Sequence, residues 1–526
     1  MATRLERNRE RFEELLDRAD RCVAGSRHDL GVAWAEMAGD RAWNDHPGFF
    51  TDERLEGMLA RIGTLTNPAP HSRSNPGPDW PRSVLHVLTE AYATGGHTRF
   101  VWRWIEADHG RRHCVVVTCQ RLSGSLPPRL VAAPQATGGW VRMLDWRRAL
   151  PLARAGQLRA LAAEFDLVVL HAHPFDVVPT IAFASGGPPI VLLNHAGFSF
   201  WIGRDVADVV ACLRPSSRDV AVHRRGIAPD RCPPLPIPVD LPDRTVSRSK
   251  ARRALGLSGD AVVLFTVAKP FKYIAFEPGP SFLELVVALA QGDKRVQVLA
   301  IGPEDQGAWR RAREQTGGRV RALGSHPEVA LHERAADIYL DSFPVTSPTS
   351  FLEAGSYGLP IVSFCPHRDR SAVLCADDFT LDDRLVRADS AESFAAEVGR
   401  LIDDRAAREA LGRDTAEAAV AGHGPEAFAA RLAEVYWRAL VAHRVGRSRA
   451  GAVGRAGALD DCLVQMQEHA GIPSSFRDLV GYHLHSFPRL SRQWLRLTAH
   501  LGSYLTPEHS AATTAESSGF APEPTR

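Results

Sequence analysis

Several things are scarce in this chain. Its 8 cysteines, Cys22, Cys114, Cys119, Cys212, Cys232, Cys365, Cys375 and Cys462, form no Cys-x-x-Cys pair. In a chain of 526 residues that scatter argues against a disulfide framework and for reduced thiols in the cytoplasm. An excess of one charge is also missing. Lys and Arg number 63 against 61 Asp and Glu, a net charge of +2, so no broad basic field calls for nucleic acid or an anionic membrane. No uninterrupted apolar run approaches the length of a membrane span. The opening segment, MATRLERNRERFEELL, is highly charged and lacks the apolar core of a signal peptide, which again suits a cytoplasmic protein. A Gly-x-Gly-x-x-Gly dinucleotide fingerprint is absent.

What is present is ordinary in amount and informative in order. Hydrophobic residues make up 44% and charged residues 24%, as in a soluble globular protein, and the length fits about three domain-sized units. Helices are predicted over 3–22 and 50–62, followed by the Pro/Asn/Ser-rich linker 64–82. Strands and helices then alternate. Strand candidates are Ser83–Ala91, His113–Gln120, Asp166–Leu170, Pro189–Leu193 and Val209–Leu213, with helices between them. A Pro-rich break at 226–250 interrupts the pattern, which restarts with strands at Ala261–Ala268, 296–301, 319–323, Asp337–Leu340 and Ile361–Phe364. Two such runs joined by a proline linker predict an α/β protein with two Rossmann-like parallel-sheet domains. The boundaries read as a helical segment and linker over 1–80, a first sheet domain over 81–235 and a second over 236–425. C-terminal helices follow over 426–505, interrupted by a Gly/Arg/Ala hinge at 446–457, and then a disordered tail over 506–526.

One stretch concentrates the chemistry: Asp341 to Phe364, DSFPVTSPTSFLEAGSYGLPIVSF. A strand ends at Asp341-Ser342, Ser347 is an N-cap, Pro348 opens a short helix, and Gly358 and Pro360 close it. The amides at the start of that helix, with the hydroxyls of Ser347, Thr349 and Ser350, suit a phosphate. Glu353 stands one helical turn past Thr349, about 5.4 Å along the axis, where a carboxylate would hold a ribose hydroxyl. The same pattern also occurs in any strand–loop–helix of an α/β protein, so its neighbours matter. Lys269 and Lys272 follow the strand Ala261–Ala268. In the first half, Gly95-Gly96-His97 joins a strand to a helix, as a ligand-approaching loop or a tight turn. His171 and His173 share one side of a strand end near Asp176, as a ligand-facing edge, a buried pair or part of a metal site that lacks a third ligand. His195 ends a buried strand, where α/β proteins place ligands, and its pKa range suits a general base.

With these residues in view, the sequence resembles glycosyltransferases of the GT-B fold, in which two Rossmann-like domains face a cleft. DSFPVTSPTSFLEAGSYGLPIV and FTVAKPFKYIAFEP resemble the donor-site segments of the O-linked N-acetylglucosamine transferase and bacterial cytoplasmic N-glycosyltransferase branch. TEAYATGGHTR, VVLHAHPFD and VLLNHAGFSFW resemble the loop and strand ends on the acceptor side, and the likeness spans roughly 82–440. It implies a nucleotide-diphosphate-sugar donor, UDP-sugar favoured, and a hexosyl- or N-acetylhexosaminyl-transferase. Lys272 would meet the diphosphate, with Lys269, Ser347, Thr349, Ser350 and Glu353 completing the donor site. Gly95, Gly96 and His173 would lie on the acceptor side, and His195 or His97 would be the base of an inverting reaction. The retaining relatives carry two glutamates eight positions apart; Glu353 matches the second, but Val345 stands at the first. No metal motif appears, so metal-independent catalysis without a cofactor is expected, with no nucleic-acid or integral-membrane role. The acceptor is open among protein, glycan and small molecule. Two other readings keep the cleft: a nucleotide-sugar epimerase or hydrolase, and a non-catalytic nucleotide-sugar-binding protein.

Overall fold

In the computed structural model the described residues are 3–505 apart from 67–79, 94, 122–124, 243–244, 275, 277–278, 327–328, 448–453, 455 and 472–474. Most of the linker expected at 64–82, much of the hinge at 446–457 and the whole tail at 506–526 therefore lie outside the described residues.

Two parallel sheets of six strands dominate. The first contains β1 (Ser83–Leu88), β2 (Arg112–Val117), β3 (Val141–Met143), β4 (Leu167–His171), β5 (Ile190–Asn194) and β6 (Val209–Cys212), in the order β3-β2-β1-β4-β5-β6. The second contains β7 (Val262–Val267), β8 (Val296–Ile301), β9 (Val320–Ala322), β10 (Ile338–Leu340), β11 (Ile361–Phe364) and β12 (Val386–Ala388), in the order β12-β11-β10-β7-β8-β9. Read outward from its first strand, each sheet has the same order. Their central strands are rich in Val, Ile and Leu and buried on both faces, as parallel strands covered by helices must be.

Each sheet reverses direction beside its first strand, between β1 and β4 in one and between β7 and β10 in the other. At such a switch point the flanking loops diverge and leave a crevice at the carboxyl ends of the strands. The register puts Leu88 beside His171 and Val117, so the loops after β1 and β4 emerge together. Those loops carry Gly95-Gly96-His97 and His173, and their counterparts after β7 and β10 carry Lys272 and the 341–347 turn.

The flanking helices are not independent appendages. The helix Pro425–Val445 crosses back onto the first domain, where Tyr436 donates to Asp108 at 2.8 Å and accepts from Trp104 Nε1 at 2.7 Å. The N-terminal helices Arg4–Ala24, His28–Asn44 and Glu53–Thr66 lie on the other side of that domain. They are tied to the C-terminal helices by His46 to Asp460 at 2.7 Å and His483 to Asp40 at 2.6 Å. The helix His28–Asn44 has no counterpart among the sequence expectations, because it is buried on nearly all sides and shows no polar face to mark its period. The short edge strands Val141–Met143 and Val386–Ala388 were likewise not expected, and at three residues each they carry little pattern. The proline-rich 226–250 segment is packed rather than loose: Leu235, Ile237 and Val239 are buried between the halves.

Candidate functional site

A cleft of about 210 Å³ opens between the two sheets. Gly96, His97, His195 and Arg214 line it from the first domain, and Lys272, Thr346, Pro348 and Thr349 from the second. Five of the candidate site residues, Gly96, His97, His195, Lys272 and Thr349, thus line one cleft from separate segments of the chain.

The wall on the second domain is built by Asp341. Its buried carboxylate accepts from the amide of Ser347 at 3.0 Å, while Ser342 Oγ donates to Val345 O at 2.7 Å. These bonds fold the 341–347 turn so that Pro348 begins the helix Pro348–Ser356. Ser347 occupies the N-cap position but its hydroxyl does not cap the helix; it meets Ser350 Oγ at 3.2 Å instead. The amides of Ser350 and Phe351 bond to Ser347 O, at 2.9 and 3.0 Å. The first-turn donor left for a ligand is the amide of Thr349, fewer than the free amides expected from the sequence. Lys272 Nζ donates to Thr346 O at 2.7 Å, which aims the ammonium at the helix start. Burial lowers its pKa to about 8, against the pull of Asp341, so the ammonium form holds at neutral pH. Lys269 sits three residues earlier with an exposed side chain.

The wall on the first domain is made of imidazoles. The rings of His97 and His195 are 4.5 Å apart between centroids. His97 Nε2–H donates to His171 O at 2.8 Å, and His195 Nδ1–H donates to Leu193 O at 3.2 Å. In the neutral form each ring then keeps one nitrogen as a lone-pair acceptor. Burial, reinforced for His97 by its histidine neighbours, holds both below the usual range, with His195 at about 4. His173 is 9% exposed and lies in a smaller hollow shared with His195; its Nε2 bonds Tyr92 at 3.0 Å. His171 is fully buried in a ladder across three strands, His113 to His86 to His171, each step 3.0 Å. Among the described residues no group of three metal-binding side chains forms, so the His171/His173 pair has no third ligand.

The two glycines serve different ends. Gly95 has φ +98°, a conformation that side chains rarely adopt. Gly96 is set by crowding: a Cβ there would lie 2.6 Å from Thr349 Oγ1 of the other domain.

Glu353 reaches across to the first domain and is not among the residues that line the cleft. Its carboxylate accepts from Arg99 Nη1 at 2.9 and 3.1 Å and from Arg103 Nη2 at 2.7 Å. Arg103 also holds Asp240 at 2.8 Å. Three of roughly four lone-pair directions are thus used, leaving one for a hydroxyl. Arg214 makes a second bridge, with Nη1 2.8 Å from Cys375 O and 3.0 Å from Asp377. The sequence reading missed Arg99, Arg103, Arg214 and Asp377. Arg99 and Arg103 were discoverable, since they lie one turn apart directly after the glycine loop. Arg214 and Asp377 carry no local signal. Glu333 was also missed; burial and the neighbouring charge of Glu353 hold its carboxyl above the ordinary range.

No protein-family model and no curated protein matches the sequence. Solved structures do. A glycosyltransferase from Rickettsia africae ESF-5 matches with a TM-score of 0.53 at 10% identity, over 68% of this chain and 99% of that one. Anabaena Alr3699/HepE in complex with UDP-glucose matches with a TM-score of 0.52 at 16% identity, over 67% of this chain and 98% of that one. The same protein in complex with UDP and glucose gives a TM-score of 0.51 at 16% identity. At these identities the likeness speaks for architecture, and with the two matching six-stranded sheets it establishes a two-domain α/β chain of the GT-B fold.

Proposed function

We propose that this protein transfers a sugar from a nucleotide-diphosphate sugar, UDP-sugar favoured, to an acceptor held on the first domain. The observation that carries the reading is the cleft itself: Lys272 and the Thr349 amide face His97 and His195 across one space. In an inverting transfer, the neutral imidazole of His97 or His195 takes the proton from the acceptor nucleophile as it attacks the anomeric carbon. The bond from that carbon to the diphosphate oxygen breaks, and the negative charge passes to the leaving diphosphate. Lys272 and the start of the helix Pro348–Ser356 stabilise that charge. On this reading no metal is needed, because the ammonium and the oriented amide supply the counter-charge. Glu353, steadied by Arg99 and Arg103, offers its remaining lone pair to a ribose hydroxyl. The bound diphosphate also raises the proton affinity of the nearby imidazoles by its charge. That UDP and UDP-glucose are bound in Anabaena Alr3699/HepE, a chain of the same fold, supports the choice of donor.

The test is a panel of UDP- and GDP-sugars incubated with the full chain and cell extract, with nucleotide release and label transfer both followed. Label in a new product with nucleotide release supports transfer. Release without any acceptor points to a hydrolase or epimerase. Calorimetric binding without turnover points to a sensor, and no response to any donor overturns the nucleotide-sugar reading.

A further inference from the structure

The helix Arg489–Leu505 turns an apolar row outward. Leu490 is 95%, Trp494 58% and Leu497 63% exposed, and their spacing of four and three puts them on one face. The opposite side anchors the helix: Leu495 is buried, and Arg492 donates to Phe487 O at 2.8 Å and His485 O at 3.0 Å. Phe487 in turn packs edge-on against Trp34. The row is therefore held in place by a folded base.

Its charge is one-sided. Arg489, Arg492 and Arg496 lie on this helix, and burial together with the nearby charges of Arg489 and Arg496 depresses the pKa of Arg492. No Asp or Glu occurs between Asp478 and Glu508. The other exposed apolar row, Trp437, Val441 and Val445, differs: nearby Arg431 and Arg438 share Glu434, and Arg447 holds Asp208. A helix with exposed Leu and Trp and uncompensated arginines has the chemistry of an interfacial helix, which lies flat with its apolar face among acyl chains and its cations at anionic headgroups. Among the described residues no helix is long and apolar enough to cross a membrane, so lying on one is the mode that fits.

We propose that the helix Arg489–Leu505 docks this protein on anionic lipid bilayers. The neighbouring helix carries the consequence to the acceptor half: Tyr482 and His483 pack on Phe175, whose ring is 5.6 Å from that of His173. Docking would hold the acceptor-side hollow in a fixed relation to the lipid surface. This inference does not depend on the transferase reading.

The experiment is flotation of the full chain with vesicles of phosphatidylcholine alone or mixed with phosphatidylglycerol. The wild type floats with the mixed vesicles, stays behind with the neutral ones, and is released by salt. Combining Leu490→Ser, Trp494→Ser and Leu497→Ser lowers the floated fraction by about tenfold, as does Arg489→Glu with Arg496→Glu. Unchanged circular dichroism and an unchanged melting temperature show that these surface variants remain folded. The proposal is overturned if the wild type ignores both vesicles, or if the variants float as well as it does. It is equally overturned if light scattering finds a dimer that the serine substitutions dissociate, for then a second copy covers the row.

Discussion

The two sheets have the same strand order yet present opposite chemistry to the cleft. The first contributes imidazoles, kept neutral by burial and, around His97, by their mutual repulsion. The second contributes an ammonium and a helix start, kept oriented by Thr346 and by Asp341. The sheets fix where the loops emerge, and the loops decide what the loops bind. The pairing suits a reaction in which one partner loses a proton while the other gains negative charge. A symmetric cleft, with cations on both walls, would bind anions without favouring that separation.

Four changes would break or sharpen this contrast. The largest effect is expected from the first wall. Replacing the true base among His97 and His195 by Ala should lower kcat by about 10³-fold with donor affinity nearly kept, and the other histidine should matter far less. If both variants keep full rates, neither ring is the base. On the second wall, Lys272→Ala should cut turnover by about 10²-fold, measured as nucleotide release, and an unchanged rate would remove it from the mechanism. At the seam, Gly96→Ala should slow turnover by about tenfold by pressing on Thr349, with little change in melting temperature. The smallest effect concerns stability. Breaking the bridge with Glu353→Ala should cost about 1 kcal/mol in denaturant unfolding, since Arg99 is partly exposed and Arg103 keeps Asp240. A loss below the error of the measurement would show that the halves hold together without it.

The histidine wall also has a pH signature. His86, His97, His171, His173 and His195 all titrate below their usual range because they are buried, His195 at about 4 and His173 at about 3. Unfolding releases each ring to its ordinary value near 6.5, so the unfolded chain binds more protons below that pH. The stability is complete above about pH 6.5 and declines as pH falls, by up to about 1.4 kcal/mol per unit for each ring. His483, raised by Asp40 and Glu36 against its burial, acts in the other window: its contribution is full below about pH 6.5 and is lost as pH rises above that, so it does not offset the loss at lower pH. Melting temperatures should therefore drop between pH 7 and pH 5, and equal values would show that the rings are not buried in the neutral form.

Much of this architecture could be read from the chain because parallel strands declare themselves. Runs such as Val262–Val267 are apolar on both faces, and Pro348 and Gly358 bracket their helix. The convergence of His97, His195 and Lys272 was legible once each was placed at a strand's carboxyl end. Glu353 was marked out in the sequence as a candidate carboxylate, but not as the partner of Arg99 and Arg103, since nothing local marks a contact between residues 254 positions apart. The helix His28–Asn44 escaped for the reverse reason, its burial erasing the periodicity that normally reveals a helix.

The meeting of Gly96 with Thr349 has a kinetic corollary. At that point the walls stand closer than a single added carbon permits, so on the transferase reading a bulky substrate would enter, and spent nucleotide leave, only as they part. Solvent viscosity should then slow the overall cycle, because parting of the walls would gate each turnover.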